Sequence, residues 1–131
     1  MIVLDASAAA EWLLGRPLGD LVRARIADPD ETLHAPHLLT IEVAQVVRRY
    51  VAAGHLDAAR GALALEDLAA LDVSLHAHEP LLSRIWQMRD DVTAYDAAYL
   101  ALAEVLDATL LTLDAKLASA PGHRARCEVL S

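Results

Sequence analysis

Short apolar runs that end on an acidic residue, set between longer stretches of helical period, restrict this chain more than any other feature of it. Ile2-Val3-Leu4 runs directly into Asp5, and Thr109-Leu-Leu-Thr-Leu113 runs into Asp114. Both runs are too short for a buried helix, and continuous apolarity without alternation fits a strand covered on both faces. Two weaker strand candidates lie at 32–35 and 72–76, and Glu128-Val-Leu130 supplies a last one. The intervening segments read as helices. Residues 7–14 are Ala-rich, and after the Gly15-Arg-Pro-Leu-Gly19 break a second amphipathic piece reaches about residue 27. Over 38–53, Leu39, Val43, Val46, Val47 and Tyr50 recur at helical spacing, with Gly54 where a helix C-terminus would place it. Helices follow at 56–71, at a segment carrying Pro80 in its first turn and reaching Arg89, and at 95–106.

This alternation predicts an α/β fold: a three-layer α/β/α sandwich around a central parallel sheet of about four to five strands, joined by right-handed crossovers. No Gly/Ser/Pro-rich linker interrupts it, so residues 1–131 are expected to form a single domain. In open parallel sheets ligands sit beyond the C-terminal strand ends. Asp5 and Asp114 are therefore expected on the functional edge.

Composition narrows the chemistry. Cys127 is the single cysteine, which excludes an intramolecular disulfide, disfavours a Cys-ligated zinc site and fits a reducing, cytoplasmic setting. No signal peptide and no bilayer-spanning apolar run is present, so a soluble protein with no membrane partner is expected. The net charge is −8, from 11 Lys and Arg against 19 Asp and Glu. That balance argues against whole-surface attraction to nucleic acid, and such a ligand needs a local device. Bound divalent cations are one, because they convert an acidic pocket into a phosphate-binding one. Arg48 and Arg49, Arg84 and Arg89, or Lys116 are the basic residues available to line a groove, although a solvated helix face is the more economical explanation of any pair of them.

Four acids stand out. Asp5 and Asp114 each precede a helix-prone segment, so an N-cap role competes with a ligand role. Thr93-Ala-Tyr-Asp96 fits a capping pattern, but Asp96 opens a helix that is apolar on nearly every side and has no cation one turn on. Glu42 lies beside the apolar stripe of its helix, again with no Lys or Arg three or four residues away. Gathered into one cleft, four such carboxylates would raise some of their own pKa values, a conflict that a bound cation removes. Hard oxygen donors suit Mg²⁺ or Mn²⁺, which can hold a water for hydrolysis and neutralise charge on a phosphoryl group. Ser7 and Thr112 place hydroxyls close to the strand-end acids and are candidates to orient them, against the simpler roles of helix start and strand former.

Val3-Leu-Asp-Ala-Ser7, Ala35-Pro-His-Leu-Leu-Thr-Ile-Glu-Val43, Thr93-Ala-Tyr-Asp-Ala-Ala-Tyr-Leu-Ala-Leu-Ala103 and Leu111-Thr-Leu-Asp-Ala-Lys-Leu117 occur in that order. With these motifs the chain resembles the PIN domain, specifically the VapC toxins of bacterial toxin–antitoxin pairs, nearly end to end. The resemblance implies an Mg²⁺- or Mn²⁺-dependent endoribonuclease with Asp5, Glu42, Asp96 and Asp114 as its acidic quartet. Asp5, Asp96 and Asp114 would bind metal, with Glu42 acting through water. A homodimer and inhibition by a cognate antitoxin are further implications. Many relatives carry Asn where this chain has Asp91, which bears on cleavage preference. Two other readings compete: a receiver-like phospho-acceptor domain, and a non-catalytic interaction protein on the same fold. The receiver would want a second acid beside Asp5, where Ala6 stands, and a Lys ending the last strand, which 127–130 lack. The six histidines form no ligand motif, although His76 and His78 fall together after a strand.

Overall fold

The first strand, β1 (Ile2–Leu4), is buried along its whole length, as a run apolar on both faces requires. The computed structural model describes residues 1–131. Two helices follow, α1 (Ala6–Leu13) and α2 (Gly19–Ile26), separated at the Gly/Pro break. Then come β2 (Leu33–Pro36), α3 (Leu38–Ala52), α4 (Ala58–Ala70) and β3 (Val73–His76). A 3₁₀ turn (Glu79–Leu81) leads into α5 (Leu82–Gln87), and the chain closes with α6 (Ala94–Leu106), β4 (Thr109–Thr112), α7 (Ala115–Ser119) and β5 (Arg126–Val129).

All five strands are parallel, in the order β3-β2-β1-β4-β5. The chain builds outward from β1 to β3, then returns to lay β4 on the other side of β1. Val3 thus pairs with His34 of β2 on one flank and Leu110 of β4 on the other. The reversal of direction lies between β1 and β4, and a right-handed crossover on each side of it puts the two sets of helices on opposite faces. Contacts agree: α1 packs on α2, α3 and α4, whereas α6 packs on α5 and across β1, β2 and β4. Residues 97–103 of α6 are all buried, which explains why no polar stripe interrupts them. The receiver-like alternative is disfavoured by this topology, since sheets of that kind run 2-1-3-4-5.

Three elements depart from the sequence expectation. The α4 helix starts at Ala58 rather than 56, because the Asp57 carboxylate accepts the Arg60 N–H at 2.7 Å and fixes the first turn there. Pro80 sits in a 3₁₀ turn, closed by Leu81 N–H donating to His78 O at 2.8 Å, and α5 ends at Gln87, short of Arg89. A residue without an N–H fits that tighter turn. The last strand begins at Arg126, two residues before the apolar signal. Arg126 donates to the Asp107 carboxylate and to its carbonyl, each at 2.7 Å, so a polar anchor sets the start of this half-exposed edge strand.

Candidate active site

Asp5 leaves β1 at the reversal point, and its N–H donates to Leu111 O of β4 at 3.0 Å, which ties the two strand ends together. Its backbone is extended as an N-cap's would be, yet its carboxylate caps nothing. Oδ2 instead accepts from Ser7 Oγ at 2.6 Å and Thr112 Oγ1 at 2.7 Å. Each hydroxyl donates its one proton to Asp5 and uses its lone pairs elsewhere. Ser7 Oγ accepts Leu113 N–H, and Thr112 Oγ1 accepts Asp114 N–H, both at 3.0 Å. Both donors fall on Oδ2, which leaves Oδ1 for a ligand. Thr112 is fully buried and Asp5 is only 8% exposed, so this network sits in the protein rather than in solvent.

Asp114 does cap α7, with Oδ1 accepting Lys116 N–H at 2.9 Å and Leu117 N–H at 3.2 Å. Capping and facing the cleft are compatible, because one oxygen suffices for the cap. Thr93 caps α6 by accepting Asp96 N–H at 3.2 Å, which leaves Asp96 in the first helical turn. Burial pushes the Asp96 carboxyl above its ordinary range, and Asp5 and Asp114 push it further, against a smaller opposing effect of the Thr93 hydroxyl. Glu42 is raised too, first by burial, with the Tyr99 hydroxyl opposing and Asp5 and Asp96 adding to the rise. The Tyr99 hydroxyl faces Glu42, yet Glu42 Oε1 and Tyr99 OH are both buried without a hydrogen bond of acceptable geometry. Burial and then Glu42 hold the Tyr99 phenol far above its usual range, so it stays protonated.

The four carboxylates line one cleft of about 250 Å³ together with Ser7, Gln45, Val46 and Arg49. Seven ion pairs occur in the protein, and none involves Asp5, Glu42, Asp96 or Asp114. As the side chains stand, no three of them close on a single point at ligand distance. An open, oxygen-lined cleft of this kind fits an ion that keeps several waters and takes one or two carboxylates directly. The orphaned Glu42 Oε1 and the burial and mutual repulsion that raise Asp96 and Glu42 fit a donor set that a cation would neutralise.

Other candidates fall elsewhere. Asp91 is outside the cleft and packs beneath Gly122, whose φ is +88° and where an added Cβ would strike the Asp91 carboxylate. His76 pairs with His34 at 3.0 Å, and His78 Nε2 accepts Leu38 N–H at 3.0 Å, both away from the acids. Tyr99 and Gln45 are site residues that the sequence reading did not single out. Gln45 stands one turn after Glu42 on the same helix face, a spacing that would have found it.

A parallel sandwich with unneutralised acids gathered at the β1/β4 reversal defines an acidic-cleft α/β domain, and comparison with known proteins gives it a family. The chain belongs to the PIN domain family, whose model matches residues 2–122. Among its relatives are the VapC ribonucleases. It is 37% identical over 131 residues to Ribonuclease VapC12 of Mycobacterium tuberculosis, covering 100% of both chains. It is 40% identical over 129 residues to Ribonuclease VapC9 of the same species, covering 98% of this chain and 96% of the relative. Among solved structures, Mycobacterium tuberculosis VapC20, described as a sarcin-ricin loop cleaving toxin, superposes with a TM-score of 0.71 at 14% identity, covering 95% and 97% of the two chains. PAE2754 from Pyrobaculum aerophilum superposes at 0.69 with 22% identity, covering 88% and 81%. At those identities the structures speak for the fold. No helix is long and apolar enough to cross a membrane.

Proposed function

We propose that this protein is a divalent-metal-dependent endoribonuclease, the toxin of a toxin–antitoxin pair, acting as one domain in the cytoplasm. One observation carries the reading: four carboxylates from distant parts of the chain line one cleft, and none of them is ion-paired. A scaffold without chemistry gains nothing from that arrangement, which costs stability. Full-length relatives at 37–40% identity that are named ribonucleases support the same reading.

Asp5 Oδ1 is the best placed direct ligand for Mg²⁺ or Mn²⁺, with Asp96 and Asp114 beside it and Glu42 reached through water. When bound, such an ion makes its water a stronger nucleophile and neutralises charge on the phosphoryl oxygens. The chain's own residues do the rest. Ser7 and Thr112 fix the Asp5 carboxylate in one rotamer, so a ligand need not pay for ordering it. Glu42, with its raised proton affinity, is suited to take a proton from a water in the cleft. The antitoxin and a second copy of the chain are the protein partners expected of a toxin of this family.

The test is to map new RNA 5′ ends after a brief expression pulse, for wild type and Asp96→Asn, and to repeat the cleavage with purified protein in Mg²⁺, Mn²⁺ or chelator. Discrete ends in wild type alone, lost on chelation, are expected. Identical ends from Asp96→Asn, or cleavage indifferent to chelator, would refute the reading.

A further inference from the structure

We propose that Arg49 grips the RNA backbone at a phosphate flanking the scissile one, with the Gln45 amide donating beside it. The inference rests on the nuclease reading and adds the device that an acidic protein needs to hold a polyanion.

Glu42, Gln45 and Arg49 lie at i, i+3 and i+7 on α3, so one helix face carries an acid, an amide and a cation in line, and all three line the acidic cleft. Seven residues span about 10 Å of helix axis. Helical side chains lean toward the N-terminus, so the Arg49 guanidinium reaches back over Gln45 toward the acids without arriving at Glu42. That separation places it on a neighbouring phosphate rather than at the reacting one.

Arg49 is also uncommitted. It lies in a cleft with four carboxylates, yet it enters none of the protein's ion pairs and stacks on no aromatic ring. An arginine present to neutralise the acids would be bonded to one of them. Arg48, its neighbour, is spent differently: its Nε donates to Gln45 Oε1 at 2.9 Å. Because arginine only donates, that bond fixes which end of the Gln45 amide is oxygen. The amide NH₂ is thereby left as the donating end. The cleft thus offers two donor groups on the C-terminal part of the α3 wall, with Glu42 at the other end of that wall and Asp5, Asp96 and Asp114 beyond it. A phosphodiester strand laid across it would meet the charge-bearing fork on one side and the metal-binding acids on the other. Such contacts set register and affinity without reading sequence.

The test uses the purified protein with Mg²⁺ and an RNA fragment spanning the mapped cut site, comparing wild type with Arg49→Gln, Arg49→Lys and Arg23→Gln. Arg23, on α2, pairs with Asp20 at the exposed surface and makes the same change in net charge away from the cleft. Arg49→Gln is expected to raise KM about tenfold with kcat within about twofold. It should also flatten the dependence of log affinity on log salt by about 0.7, the contribution of one phosphate contact in a single strand. Arg49→Lys should keep the slope, Arg23→Gln should change neither quantity, and the Tm of Arg49→Gln should match wild type. An unchanged KM and slope in Arg49→Gln, an equal change in Arg23→Gln, or a loss confined to kcat would each overturn the inference. Wild-type protein that cleaves no RNA would instead be the failure of the nuclease reading, and this inference would fall with it.

Discussion

Replacing Thr112 with valine should damage both the stability and the metal response of this protein. The two side chains have nearly the same shape, so packing is preserved and only the hydroxyl is lost. Thr112 is fully buried, and its Oγ1 donates to Asp5 Oδ2 at 2.7 Å while accepting Asp114 N–H at 3.0 Å. A hydrogen bond to an ionised group contributes about 1.5–3 kcal/mol, and a stranded, partly buried N–H costs about 1 kcal/mol more. Ser7 still donates to Oδ2, which keeps the loss near the lower end, about 2–3 kcal/mol. For a domain of this size that lowers Tm by roughly 6–12 °C in chelator. Thr112→Ser keeps the hydroxyl and should lose only about 1 kcal/mol, for one methyl. Freed from one tether, the Asp5 carboxylate should also bind metal about tenfold more weakly, which a Mg²⁺ titration of cleavage would read as a shifted midpoint. A Thr112→Val protein within about 0.5 kcal/mol of wild type by thermal or urea unfolding, with an unmoved Mg²⁺ midpoint, would refute the account of Asp5 given above.

Three further outcomes are expected. Asp5→Ala and Asp96→Asn should abolish cleavage while folding normally by circular dichroism, and the Tm rise of wild type in millimolar Mg²⁺ or Mn²⁺ should vanish in both; an equal rise in the variants would argue against a specific site. Tyr99→Phe removes the hydroxyl that opposes the rise at Glu42, so the Glu42 carboxyl should bind its proton still more tightly and the acid limb of the cleavage pH profile should move to higher pH; an unmoved limb would be the contrary result. Arg84 makes two hydrogen bonds, at 2.8 and 2.9 Å, to Glu104 and holds its carboxyl below the ordinary value of 4.5. A depressed folded pKa contributes stability above the unfolded value, and that stability is lost as pH falls through the folded one. Glu104→Gln should therefore be less stable than wild type near neutrality, with the gap closing in acid; a gap independent of pH would be the contrary result.

The two central strands were legible in the sequence because Ile2-Val3-Leu4 and residues 109–112 are apolar on both faces, which only a covered parallel strand demands. The helices followed from spacing, and α3 ends within one residue of where Gly54 placed it. Edges were harder. Arg126 belongs to β5 through its bonds to Asp107, a long-range pairing with no local signature. In the site, the N-cap alternative for Asp5 was open in the sequence, since local pattern does not say which donors a carboxylate meets. Ser7 is two residues away, but Thr112 is 107 residues away and reaches Asp5 only through the β1–β4 pairing. Asp114 shows the opposite case, where capping and the cleft coexist. Tyr99 was hidden because a tyrosine among alanines and leucines in α6 reads as core, and it is core, 1% exposed, with a hydroxyl that happens to face Glu42.

The placement of β4 beside β1 has a consequence for biosynthesis. A ribosome releases β1, β2 and β3 well before residues 109–112, so the first strand waits with one flank unpaired until most of the chain has emerged. Thr112 and Asp114 arrive with that late strand, so a translation product cut short before it would carry neither the clamp on Asp5 nor the fourth acid. The acidic cleft is therefore completed only when β4 and the residues just after it have joined the sheet, late in the synthesis of the chain.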